Sequence, residues 1–217
     1  MDPDLLQEIA IRVPIVLLSL SVHESAHAWV ADRCGDPTAR LEGRITLNPL
    51  AHLDPMGTLC MIWARFGWAK PVPVNPYNLR NPRRDDILVS AAGPASNFAM
   101  ALGFGIVFRI VAAVFGPALT APNPPFIPWL IVHMALEGVV LSCALGIFNL
   151  VPIFPLDGSH VLKGLLPPHL GEKYESLNPV MPIALLILVF SNQLGVLIGP
   201  PIFLLVSLFT GIPMSHM

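Results

Sequence analysis

Residues 9–31, IAIRVPIVLLSLSVHESAHAWVA, constrain this chain most. The run is long enough to cross the hydrocarbon core of a bilayer, about 20 residues at 1.5 Å each. It nevertheless carries Arg12, His23, Glu24 and His27. Ionisable groups inside a spanning helix are costly and usually functional. Residues four apart lie on one helical face, so His23 and His27 point the same way, with Glu24 about 100° further round.

This is an H-E-x-x-H pattern, and its spacing fits two imidazoles on one zinc ion with a carboxylate beside the metal to take a proton from bound water. A catalytic zinc site wants three protein ligands and an open position. Asp157 is the best third, where an apolar helix ends in the Pro-rich turn Asn149-Leu150-Val151-Pro152-Ile153-Phe154-Pro155-Leu156-Asp157-Gly158. His52 and His160 fall in loops, and His133 and Glu137 lie too far towards the other side of the membrane. Cys34, on roughly the face of His27, reads as a small buried hydrophobe rather than a spare ligand.

The rest of the composition agrees with a membrane protein. Hydrophobic residues make up 54% and charged residues 12% of the chain, against about 25% charged in an ordinary soluble domain. The net charge of −2 gives no sign of a nucleic-acid partner. Three widely spaced cysteines, Cys34, Cys60 and Cys143, form no disulfide framework. The acidic flank before the first apolar run, MDPDLLQE, is unlike a cleavable signal peptide.

The expected fold is an all-α polytopic membrane protein, one domain over residues 1–217. Core helices are expected at about 5–31, 87–115 and 126–150, with Pro14 kinking the first. The alternating residues 44–48, RITLN, read as a short strand. The apolar residues 56–64 are too short to span and read as re-entrant or interfacial, with Trp63 and Trp68 at headgroup depth. Residues 70–81, with Pro71, Pro73 and Pro76, read as stiff and extended. The small-residue opening SAAGPASNFAMALGFG of the second span suits close helix packing, with Asn97 holding helices together. The apolar residues 180–212 would measure about 50 Å as one helix, more than one span and less than two. The run is broken at Ser191-Asn192-Gln193 and at Gly199-Pro200-Pro201, and it is expected to form two short helices in a hairpin.

Orientation follows from the basic residues. Arg33, Arg40, Arg44, Arg65, Lys70, Arg80, Arg83 and Arg84 lie between the first two spans, and Lys163 and Lys173 follow the third. Arg12 alone lies near the opposite side. The positive-inside rule then puts His27 and Asp157 both towards the cytoplasm.

On these residues the sequence resembles the site-2 protease family of intramembrane zinc metalloproteases. The resemblance covers most of the chain: His23 to His27, Gly93-Pro94-Ala95-Ser96-Asn97, Asn149 to Gly158, and the segments GRITLNPLAHLDPMGT and GWAKPVPVNP. Phe154 departs from the commoner P-I-P-P-L-D-G wording, and His160 stands where many relatives carry a basic residue. The resemblance implies one zinc per chain on His23, His27 and Asp157, with Glu24 as general base. It also implies a substrate that is the transmembrane segment of another protein, in or near which a peptide bond is cut, in a prokaryotic cell membrane. Asn149 is a candidate oxyanion donor, its other reading being a helix C-cap. The strand at 44–48 is expected to pair with an unwound substrate. Expected partners are that transmembrane substrate, the lipid bilayer and, as an option, further copies of the chain. Two other function classes use the same ligands: a metal-ion transporter, for which His133 and Glu137 are the only hint of a path, and an inactive protease-like binding protein. Glu24 beside the first ligand favours hydrolysis.

Overall fold

The computed structural model describes residues 3–64 and 67–213, with side chains for 6–60 and 67–213. The order is α1 (Pro3–Cys34), α2 (Thr38–Leu41), α3 (Pro55–Ala64), α4 (Pro82–Leu119), α5 (Phe126–Asn149), α6 (Asp157–Leu165), α7 (Pro168–Glu175), α8 (Met181–Phe190) and α9 (Gln193–Thr210). Four helices are long and apolar enough to cross a membrane: Leu6–Cys34, Pro82–Leu119, Phe126–Asn149 and Gln193–Thr210. The chain is an all-α polytopic membrane protein.

The helix α4 is the hub and packs on α1, α5, α6 and α9. Its small residues allow this, because backbones approach closely where side chains are absent. A Cβ at Gly105 would stand 2.9 Å from the Cβ of Phe209 on α9, and one at Gly138 on α5 would stand 2.5 Å from the Phe104 ring of α4. Ala101, Val139, Cys143 and Val206 form the buried cluster where α4, α5 and α9 meet. Arg109 of α4 donates to the carbonyls of Leu208, at 2.6 Å, and Phe209, at 2.7 Å. It thereby satisfies the last turn of α9, whose carbonyls lack helical partners.

The helix α4 begins earlier than the apolar pattern alone indicates. Pro82 occupies its first position, and Asn81 caps it by accepting from the Arg84 N–H at 3.3 Å. Both are N-terminal signals that override the charge of Arg83 to Asp86. Residues 180–212 do form a hairpin, α8 and α9, hinged at Asn192 with φ 59°. The helix α1 continues through Pro14.

The expected strand at 44–48 does not form, and no strand occurs among the described residues beyond one antiparallel bridge, Leu53 to Ala69. The local groups are spent otherwise. Arg44 is buried and its guanidinium donates to the carbonyls of Lys70, at 2.6 Å, and Pro71, at 3.1 Å. The Thr46 carbonyl accepts from His52 Nε2 at 2.8 Å, and Asn48 caps a short 3-10 turn. The alternation of 44–48 is therefore not a core face, and Leu47 is exposed. Arg44 instead pins the extended segment after Trp68. Trp68 itself is exposed, whereas the Trp63 side chain and Arg65 lie outside the described residues.

The loop after α1 is tied down by Asp36, which is fully buried. It accepts from Thr38, from the Asn75 N–H at 2.7 Å and from Asn78 Nδ2 at 2.9 Å. Burial alone would raise this carboxyl, but the bonds from Asn78, Thr38 and Asn75 hold it below its ordinary value.

Candidate metal centre

Three elements deliver the site. The helix α1 presents His23 and His27 on one face, with ring centroids 4.7 Å apart and the rings nearly perpendicular. The turn between α5 and α6 delivers Asp157 as the first residue of α6. That turn is internally bonded, Ile153 N–H to the Val151 carbonyl at 2.8 Å and Leu156 N–H to the Ile153 carbonyl at 2.9 Å. Tyr174 of α7 braces it from outside by donating to the Pro152 carbonyl at 2.8 Å. Gly158 is required by contact, since a Cβ there would lie 2.2 Å from the Leu150 carbonyl oxygen. The third element is α4, which passes behind the imidazoles at Gly93. A Cβ at Gly93 would stand 2.3 Å from His27 Nε2 and 2.6 Å from His23 Nε2.

The ligand-type atoms converge. His23 Nε2 and His27 Nε2 are 3.1 Å apart, and Asp157 Oδ2 is 3.2 Å from the first and 3.3 Å from the second. A tetrahedral zinc site, with bonds of about 2.0–2.1 Å, sets its donor atoms about 3.3 Å apart. Both histidines are buried, and Asp157 Oδ2 is buried without a hydrogen-bond partner. No other group of three such side chains could hold a metal among the described residues.

The protonation of the imidazoles is fixed from behind. His23 Nδ1 faces Asn97 Oδ1, and His27 Nδ1 faces the Val89 carbonyl at 2.7 Å. Asn97 is oriented in turn, its Nδ2 donating to the Ser19 carbonyl at 3.4 Å. Facing oxygen acceptors, both Nδ1 atoms carry the hydrogen, and both Nε2 atoms are left as lone pairs. Two lone pairs and a carboxylate oxygen therefore point at one another, an arrangement that suits a cation among them.

The site opens on a cavity of about 860 Å³, a volume typical of ligand pockets. Its wall is mainly apolar, including Leu20, Val72, Val74, Leu145, Phe148 and Leu185. Glu24 and Asn149 both line it. Asn149 Nδ2 donates to the Leu145 carbonyl at 3.0 Å, so one of its two N–H bonds is engaged and the other is free.

The remaining candidates are not brought here. His52 is buried under residues 44–48, and Cys34 is outside the converging group. Glu137 is paired with Arg12, and His133 Nδ1 bonds the Trp129 carbonyl in its own helix. Neither of these two groups belongs to the His-His-Asp cluster. Sequence reasoning gave Asn97 to helix packing, yet its carbonyl oxygen meets His23 directly. The signal lay in Gly93 and Asn97 being four apart, on one face of α4, with the glycine at the imidazoles.

Two buried histidines on the first spanning helix of a polytopic helical protein, faced by Asp157 of α6, make an arrangement suited to a membrane metallohydrolase. The chain belongs to peptidase family M50, whose model matches residues 116–190. It is 38% identical to YwhC of Bacillus subtilis over 83% of this chain and 80% of that protein. It is 33% identical to Rip2 of Mycolicibacterium smegmatis over 80% of this chain and 62% of that protein. Both carry the name "Putative zinc metalloprotease". The "Zinc metalloprotease MJ0392" of Methanocaldococcus jannaschii is 26% identical over 92% of this chain and 47% of that protein. No solved structure matches.

Proposed function

We propose that this protein is an intramembrane zinc metalloprotease that hydrolyses a peptide bond in or near a transmembrane segment of another membrane protein. The observation that carries the reading is the meeting of His23 Nε2, His27 Nε2 and Asp157 Oδ2 on the wall of the cavity that Glu24 also lines. One zinc per chain is held by those three side chains. When bound, zinc supplies the Lewis acidity that polarises the scissile carbonyl and acidifies the attacking water. Glu24 takes the proton from that water and returns it to the leaving amine. The free N–H of Asn149 serves as a donor to the developing oxyanion. The apolar wall accepts the substrate's apolar segment and keeps bulk water from the reacting bond.

The basic loops between α1 and α4 and after α5 support a site towards the cytoplasmic side of a prokaryotic cell membrane. Cysteine labelling at Arg80 and Ala121 should find the two on opposite sides, and labelling of the Arg80 position from outside intact cells would reverse the orientation. For the chemistry, wild type and Glu24→Gln are to be co-expressed with single-span substrates. Glu24→Gln should lower cleavage by about 10²–10⁴-fold. Equal cleavage by both proteins would remove Glu24 from the mechanism.

A further inference from the structure

One titratable pair on the cavity wall has no part in the proposed reaction. Asp86 of α4 and His160 of α6 both line the cavity, with Asp86 Oδ2 3.5 Å from His160 Nδ1. The pair lies one turn from the metal centre on both helices. Asp86 precedes by three residues Val89, whose carbonyl holds His27, and His160 follows Asp157 by three. The His160 ring is set edge-on against Phe154, centroids 5.4 Å apart, and Phe154 is backed by Tyr174. The side chains are 43% exposed for His160 and 30% exposed for Asp86, so both are open to an incoming group.

The chemistry of the pair is one-sided. Asp86 accepts no hydrogen bond among the described residues, unlike its neighbour Asp85, which takes the Asn81 N–H at 2.8 Å. The Asp86 carboxylate offers acceptor oxygens and one negative charge. Arg83, three residues before Asp86 on α4, is committed elsewhere, donating to the carbonyls of Gly164 at 2.9 Å and Leu166 at 2.6 Å. Among the described residues, no Lys or Arg lines the cavity. An apolar cavity with an anionic end matches an apolar segment flanked by a Lys or Arg, the usual pattern at the cytoplasmic end of a membrane span.

We propose that Asp86 and His160 form a subsite for a Lys or Arg side chain flanking the substrate's apolar segment. This rests on the reading of the cavity as the substrate channel. The test uses full-length, zinc-loaded Glu24→Gln protein in detergent and labelled single-span peptides, with a Lys placed at successive flanking positions or replaced by Gln. Binding is read by fluorescence anisotropy, with zinc content as the folding control. At one of the positions the Lys peptide should bind roughly five-fold tighter than the Gln peptide, as for a partly exposed charge pair. Adding Asp86→Asn should bring that ratio to about one, and adding His160→Ala should reduce it. The assignment is overturned if no position shows a Lys preference, or if the preference survives Asp86→Asn. Cleavage by the Glu24-intact protein is scored separately. Discrimination without cleavage would sink the protease reading and keep a cation subsite, and cleavage without discrimination would do the reverse.

Discussion

The helix α1 carries two ionisable clusters, and they are built on opposite principles. Arg12 donates to Glu8 within α1 and to Glu137 of α5. Donor meets acceptor at both contacts. About 16 Å further along the helix, His23 and His27 meet Asp157 with acceptors only. Their donors are all used on the far side, against Asn97 and the Val89 carbonyl. Charge inside a spanning helix therefore does not by itself mark a working site. What marks it is a buried imbalance that the protein's own groups leave uncorrected.

The sharpest way to break this comparison is to fill the space against the Nε2 atoms of the two imidazoles. Gly93→Ala puts a methyl group 2.3 Å from His27 Nε2. Zinc binding and cleavage should both fall below detection, while the fold loses about 1–3 kcal/mol as for other overpacked sites. Metal analysis together with thermal unfolding checks this, and normal zinc content in Gly93→Ala would show that α4 does not form the back of the site.

A smaller effect is expected when the imidazoles keep their space and lose their support. Asn97→Ala removes the acceptor that fixes the His23 tautomer. Zinc affinity, measured by chelator competition, should weaken about 10–100-fold, the usual range for such outer partners. Asn97→Asp keeps an acceptor at that position and should recover most of the loss. A purely packing role for Asn97 would leave zinc affinity unmoved in both variants.

The smallest effect belongs to the balanced cluster. Arg12→Met leaves Glu137 without its partner, but the Arg12 side chain is 53% exposed. Stability in detergent should drop by no more than about 1 kcal/mol, with zinc content unchanged. Loss of zinc in Arg12→Met would couple the two clusters and erase the distinction between them.

Much of this was legible in the chain. The spans announce themselves through apolar length, and the hairpin of α8 and α9 through its polar break, although α9 is long enough to count as a fourth span. His23 and His27 follow from helical spacing, and Asp157 from its place after a Pro-rich turn. What stayed hidden depends on register between distant segments. That Asn97 meets His23, and that Asp86 meets His160, follows only once α4 is set against α1 and α6. The strand expected at 44–48 failed for the same reason. Its alternation is a local pattern, and the buried Arg44 uses that loop to hold residues 70–71.

Metal content tests the central claim most directly. Purified wild type, Glu24→Gln, His23→Ala and Asp157→Ala are to be compared by elemental analysis after equal exposure to zinc. The imbalance at His23, His27 and Asp157 predicts about one zinc per chain in wild type and in Glu24→Gln, and a large loss in the other two. Full zinc occupancy in both His23→Ala and Asp157→Ala would contradict it.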